Sequence, residues 1–318
     1  MTVSAGRLAT DSGPARFARS VAALVRAMRP AHWAKNLLVL VPTLTAHVWR
    51  DLAAVANALI VTAAFSLTAS AIYLVNDVLD APHDRLHAVK RHRPVASGAI
   101  TPWTALLAAA ALLVTSALAV RHLPNDVRNV LVGYAALMIA YVLLLKRVLA
   151  LDVVVLAIGY TLRLAAGAAG IDVRLSPWLA AFSLFVFASL ALLKRSAELR
   201  AARQRASTAS DTSVESPPVP GRAYSVDDLP VVSMLGAAAG MVAVMVLALY
   251  VTSPDVLALY RRPQVLWLLC PTVLFWLFRL WVLALRGVVR EDPLLFALRD
   301  LPSVAVLCCC VGVVLLAL

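Results

Sequence analysis

Apolar runs of roughly bilayer-spanning length recur from one end of this chain to the other, and that repetition limits the fold more than any single motif. They lie at roughly 36–49, 53–75, 101–120, 127–145, 149–170, 177–193, 230–251, 264–285 and 301–318. A helix needs about 20 residues to cross the hydrocarbon core, and all but the short first run approach that. Within hydrocarbon each segment must satisfy its own backbone hydrogen bonds, which runs of this length do as helices. The expectation is an all-α, polytopic membrane protein of about nine transmembrane helices. Hydrophobic residues make up 62% of the chain, against about 45–50% in soluble domains.

The net charge of +12 would suit nucleic acid in a soluble protein. In a membrane protein it reads as positive-inside topology together with anionic lipid or phosphate ligands, so no nucleic-acid partner is expected. With the N-terminus inside, the inner loops hold twenty-one Lys and Arg residues and the outer loops hold six. That bias predicts a multi-pass protein of the cell membrane with a cytoplasmic N-terminus. Cys270 and the run Cys308–Cys310 all fall in apolar segments without metal-ligand spacing, and read as small lipid- or core-facing residues.

Residues 1–28 mix Gly, Ser, Thr and Arg without the apolar core of a signal peptide, so they read as a flexible cytoplasmic tail. Residues 29–318 read as one transmembrane domain. It is interrupted at 200–223, where Ser, Thr and Pro are too dense to bury a core and a mobile cytoplasmic loop is expected.

The polar clusters gather at the ends of helices on one side of the membrane. In "NDVLDAPHDRLHAVKRHRPVASG", Asp77, Asp80 and Asp84 are spaced i, i+3, i+7 and Asn76 to Asp80 is i, i+4, so the four share a broad helical face. Pro82 removes a helical hydrogen bond and leaves open whether Asp84 is still helical. Oxygen-only ligands of this kind suit Mg²⁺, which keeps waters and is completed by substrate phosphates. Arg85, Lys90, Arg91 and Arg93 follow directly. Carboxylates beside such cations describe a magnesium–diphosphate site. A plain positive-inside loop would explain the cations and leave the acids unexplained.

Other candidates stand at the ends of other segments. Lys35 and Asn36 lie at the mouth of the first, and Tyr141, Lys146 and Asp152 lie between the fourth and fifth. Lys194, Arg195 and Glu198 close the sixth. Arg163 sits inside the fifth, and an intramembrane arginine is functional by default, with a structural partner as the alternative.

Taken in order, "RPAHWAKNLLVLVP", the Asn76-Asp77-x-x-Asp80-x-x-x-Asp84 stretch, "YVLLLKRVLALDV", "LLKRSAEL", "LWLLCPTVLFWLFRLWVLALRG" and "EDPLLFAL" resemble the UbiA superfamily of intramembrane prenyltransferases. Within it they resemble the branch that transfers phosphoribose. The resemblance covers residues 29 to 300 and implies nine helices around a central cavity with a cytoplasmic polar cap. It also implies Mg²⁺-dependent transfer of 5-phosphoribose from phosphoribosyl diphosphate to a polyprenyl (decaprenyl) phosphate, for lipid-linked arabinose precursors of the cell wall. A homo-oligomer is compatible with it.

Members that prenylate aromatic rings carry a second acid pair, DxxxD, near the connection of the fourth and fifth helices. Here that region holds Tyr141, Lys146 and the single Asp152. The irregular 200–223 stretch departs from the more regular cap of the family.

On this reading Asn76, Asp77, Asp80 and Asp84 hold Mg²⁺, and Arg85, Lys90 and Arg93 grip the donor's phosphates beside Tyr73. Lys35, Asn36, Tyr141, Lys146, Arg163 and Lys194 are candidates for the lipid phosphate or the donor's 5-phosphate. Asp152 orients Lys146 or a ribose hydroxyl. The rival readings are prenyl transfer to an aromatic or other small acceptor, and transport of a polyprenyl-linked sugar. Transport is disfavoured because the charges sit at one interface rather than at the midplane of repeated halves.

Overall fold

The computed structural model describes residues 13–86, 89–208, 223–289 and 292–318, which are helical with short connections and no strand among them. In chain order they form α1 (Gly13–Ala27), a 3-10 helix (Pro30–Leu40), α2 (Val41–Thr45), α3 (Leu52–Leu86), α4 (Pro102–Ala119), α5 (Asn125–Leu143) and α6 (Leu151–Gly170). Then come α7 (Pro177–Thr208), α8 (Leu229–Val251), α9 (Pro254–Leu259), α10 (Leu269–Leu285), α11 (Pro293–Arg299) and α12 (Leu301–Ala317).

Among the described residues seven helical stretches are long and apolar enough to cross a membrane. The pair α11 and α12, bent by 85°, makes an eighth if it is counted as one broken span. The expected first segment, 36–49, is instead a 3-10 helix running into the five-residue α2, so nine α-helical spans of full length are not seen. Three residues per turn place His32 and Lys35 on one edge of the 3-10 helix, and Trp33, Asn36 and Val39 on another.

Two boundaries differ from expectation for local reasons. Residues 13–27, expected to be part of a flexible tail, form α1, because Ala23 and Ala27 are buried against α3 and α4. Residues 200–208, assigned to the mobile loop, extend α7; the rest of that loop, 209–222, lies outside the described residues. α3 begins where Asp51 accepts the Ala53 and Ala54 amides. It has no glycine, and it continues through Pro82, so Asp84 is helical rather than on a loop.

Contacts divide the chain into two units: Met1–Trp33 with Ala63–Ala119, and Ala34–Thr62 with Val120–Leu318. The first packs through small residues, Ala23, Ala27, Ala71, Ala81, Ala105 and Ala109, around Leu74, Val95 and Ile100. In lipid, where burying apolar surface drives little, such residues let helices approach closely and hydrogen-bond across the contact. Ser116 does so, reaching the Ala64 carbonyl and the Thr68 hydroxyl at 2.9 Å each. The Trp33 indole donates to Ser70 at 3.0 Å, and Ser70 reaches the Met28 carbonyl at 3.1 Å, pinning the end of α1 to α3.

The second unit uses the same device. Gly236 of α8 faces the Trp281 ring and Leu192, where a Cβ has no room. Its carbonyl accepts from Ser189 at 2.7 Å, and Ser189 accepts from the Trp281 indole at 3.1 Å. Gly167 of α6 lies against the Val39 carbonyl so closely that a methyl group would overlap it. That glycine seats the 3-10 helix on α6.

Candidate active site

In the first unit the acidic face of α3 turns toward two arginines. Asp77 is 1% exposed and Asp84 3%. Asp77 accepts from Arg29 at 2.5 Å and from Arg93 at 3.5 Å, and Arg93 also donates to Asp84 at 2.6 Å. Each buried carboxylate thus faces a guanidinium, as buried charges require. Arg29 stacks over the Tyr73 ring at 4.8 Å, and His32 meets that ring edge-on. Asn76 and Asp80 are half-buried on the same helix. Arg85 turns to the Ala96 carbonyl at 3.2 Å, and Lys90 is exposed on the 3-10 turn Lys90–His92.

The donors are all oxygens, as a hard cation needs. Among the described residues no three acidic, His or Cys side chains form a ready-made cage. Mg²⁺ does not require one, because it binds through one or two carboxylates, waters and substrate phosphates. The residues present therefore fit Mg²⁺, with Asp80 one turn from both Asp77 and Asp84.

In the second unit Lys35 is buried at 7% exposure and donates to Asp292 at 2.5 Å. Lys194 lies 3.6 Å from the same Asp292 oxygen. Lys35 and Arg163 sit over the Tyr160 ring at 5.7 and 5.1 Å. Arg163 donates to Asn36 Oδ1 at 2.8 Å, the Tyr134 hydroxyl at 2.9 Å and the Gly159 carbonyl at 2.5 Å. Of the predicted residues, then, the second unit brings Lys35, Asn36, Arg163 and Lys194 together.

Asp152 belongs to a neighbouring network. It is fully buried and accepts from Arg195 at 2.8 Å on one oxygen and from the Tyr224 hydroxyl at 2.8 Å on the other. Arg195 also donates to Glu198 at 2.5 Å and to Tyr141 at 3.5 Å. Burial, then the bond to Asp152, push the Tyr224 phenol above its ordinary pKa, so it remains a neutral donor. The Tyr224 oxygen accepts the Ala150 amide at 3.2 Å, just before α6, where Ala150 has φ +63°. Lys146 stands half-buried on the 3-10 turn Leu145–Arg147.

Residues 39–299 match the UbiA prenyltransferase family. The chain belongs to the UbiA family. It is 35% identical over 277 residues to the uncharacterised protein y4nM of Sinorhizobium fredii, covering 87% of this chain and 52% of that one. It is thus a UbiA-family chain that spans about half the length of that relative. It is 33% identical to the nodulation protein NoeC of Azorhizobium caulinodans, over 91% of this chain and 90% of NoeC. Identity to the decaprenyl-phosphate phosphoribosyltransferase of Mycobacterium tuberculosis is 39%, over 63% of this chain and 67% of the relative. A UbiA homologue from Archaeoglobus fulgidus bound to GPP and Mg²⁺ superposes with a TM-score of 0.66 at 14% identity, covering 92% of this chain and 99% of that one. That likeness carries the UbiA fold.

Sequence reasoning named neither Arg29, Asp292, Tyr160 nor Tyr224 as a site residue. Arg29 and Asp292 each directly precede a proline, in "RPAHWAKN" and "EDPLLFAL". The D-P pair is a helix-start signature, and it was the one available hint.

Proposed function

We propose that this UbiA-family enzyme transfers 5-phosphoribose from phosphoribosyl diphosphate to a polyprenyl phosphate, releasing pyrophosphate, as a step toward lipid-linked arabinose precursors. The observation that carries the reading is the commitment of Asp152. Where ring-prenylating relatives are expected to hold a second acid pair, this chain has one acid, fully buried with both oxygens engaged by Arg195 and Tyr224. Among the described residues that leaves the acidic face of α3, suited to one diphosphate–metal unit. The resemblance to phosphoribosyltransferases over about two thirds of the chain supports the same choice.

Asn76, Asp77, Asp80 and Asp84 would hold Mg²⁺, which when bound neutralises charge on the departing diphosphate. Arg93 and Lys90, with Arg85, take the donor's phosphate oxygens, and Tyr73 lines their side of the cluster. Lys35, Lys194 and Arg163 take a phosphate monoester; Tyr141, bound to Arg195 beside Lys194, and Lys146 assist. The lipid phosphate oxygen forms a bond to the anomeric carbon as the bond from that carbon to the diphosphate breaks. The attacking monoester is already anionic near neutral pH, so no strong base is needed. The loop-charge bias supports a cytoplasmic N-terminus and a cytoplasmic acid cluster in the cell membrane.

The test is purified protein with radiolabelled phosphoribosyl diphosphate, decaprenyl phosphate and Mg²⁺, with and without EDTA. An organic-extractable, EDTA-sensitive labelled lipid is expected. No label transfer, with activity instead on a prenyl diphosphate and an aromatic acceptor, would move the enzyme to the prenylating branch. In the same assay Asp80→Ala is expected to lower turnover by roughly a thousandfold, and Arg91→Ala only slightly. Near-normal turnover of Asp80→Ala would sink the metal assignment.

A further inference from the structure

We propose that Asp292 is a built-in occupant of a phosphate seat formed by Lys35 and Lys194, and that a phosphate monoester binds there by displacing it. The inference rests on the functional reading above only for the class of ligand.

The two oxygens of Asp292 have separate tasks. Oδ2 lies 2.5 Å from Lys35 Nζ and 3.6 Å from Lys194 Nζ. Oδ1 accepts the Leu294 amide at 3.2 Å and caps α11. A single carboxylate oxygen therefore sits where two ammonium groups converge, which is the geometry a phosphate oxygen takes. The side chains of Lys35 and Asp292 are only 9% and 10% exposed, and that of Lys194 is 37% exposed.

Arg163 adds a third cation at the Tyr160 ring, which Lys35 shares. With Arg195 and its partners Glu198 and Asp152 counted in, four bases stand against three acids. The seat therefore carries positive charge beyond what these acids cancel, which favours a counter-charge larger than that of one carboxylate. A phosphate monoester, with close to two negative charges near neutrality, supplies it better than a carboxylate.

An internal ligand lowers the apparent affinity for an external one by the fraction of time the seat is filled. Displacement would also take the Asp292 cap off α11 at one end. The other end stays held, because Arg279 grips Asp300 through both its terminal nitrogens, at 2.5 and 2.9 Å.

Asp292→Asn isolates the charge, because asparagine caps a helix as well as aspartate does. Binding to full-length protein in detergent would be measured with farnesyl phosphate and with ribose 5-phosphate, without turnover. Asp292→Asn is expected to bind one of them about tenfold more tightly than the parent. A gain with farnesyl phosphate assigns the seat to the lipid, and a gain with ribose 5-phosphate assigns it to the donor. Adding Lys194→Met should abolish the gain. Unchanged or weaker binding of both probes, or a gain that survives Lys194→Met, overturns the proposal.

Should Asp292→Asn fail to fold, hydrogen exchange on the parent protein decides. The Leu294 amide should exchange faster once the phosphate probe is bound, and slower or equal exchange overturns the proposal. Failure of label transfer with these binding results intact would count against the phosphoribosyl reaction alone.

Discussion

Asp152→Ala is expected to destabilise the protein by about 3–5 kcal/mol, the cost of removing one partner from a buried ion pair. The side chain is fully buried, and Arg195 is 2% exposed. Truncation therefore leaves a guanidinium that water does not reach, still bound to Glu198 and Tyr141. The Tyr224 hydroxyl loses its acceptor as well. The network ties the approach to α6 to α7 and to the segment before α8, so the loss should appear as one cooperative shift. Thermal unfolding in detergent, followed by circular dichroism, should show a large drop in Tm. Replacing Arg195 by methionine in the same protein should restore part of it, since the buried guanidinium is then gone and Glu198 is the more exposed partner. A drop in Asp152→Ala worth less than about 1 kcal/mol would mean that Arg195 finds solvent, and that Asp152 is free for substrate.

Gly167→Ala should be comparably damaging, by a different route. The new methyl would overlap the Val39 carbonyl oxygen, with the Val39 backbone itself behind it. A flexible side-chain tip can swing aside, whereas a backbone carbonyl within the 3-10 helix moves only with the whole segment. Overpacking of this kind costs about 3 kcal/mol or more when nothing yields. The displaced segment carries Asn36 away from Arg163, so activity should fall with stability. Gly133→Ala is the matched control, because nothing lies within 4 Å of its added carbon. It should be neutral, or gain about 0.5–1 kcal/mol from helix propensity. Equal Tm values for the two variants would show that the 3-10 helix slides freely over α6.

Much of this was legible because hydrophobicity and helical spacing are local. The runs at 101–120, 149–170 and 230–251 reappear as α4, α6 and α8 within a few residues. The face shared by Asp77 and Asp84 followed from one-turn spacing alone. The 3-10 helix was not legible, since a three-residue turn reads like an ordinary apolar run until Gly167 shows what it packs on. Nor were the partners of the buried charges. Lys35 and Asp292 are 257 positions apart, and Asp152 meets Tyr224 across 72. No periodicity encodes such pairs; they exist only once the helices are packed. Tyr224 is a case in point, because nothing next to it in the sequence marks it as the donor that completes the Asp152 network.

The length of α3 has a further consequence. Its 35 residues reach about 52 Å at 1.5 Å per residue, against a hydrocarbon core of about 30 Å. Arg50 and Asp51 mark a polar edge where it starts, so roughly the first twenty residues suffice to cross. The last stretch, with Tyr73, Asn76, Asp77, Asp80 and Asp84, is then more than a crossing requires, like the head of a mast. Under the proposed phosphoribosyl transfer, a water-soluble diphosphate would meet those acids without entering hydrocarbon, whereas a lipid-borne phosphate would have to be lifted toward them. The thickness of the surrounding bilayer would set that height, and so become a variable of the chemistry.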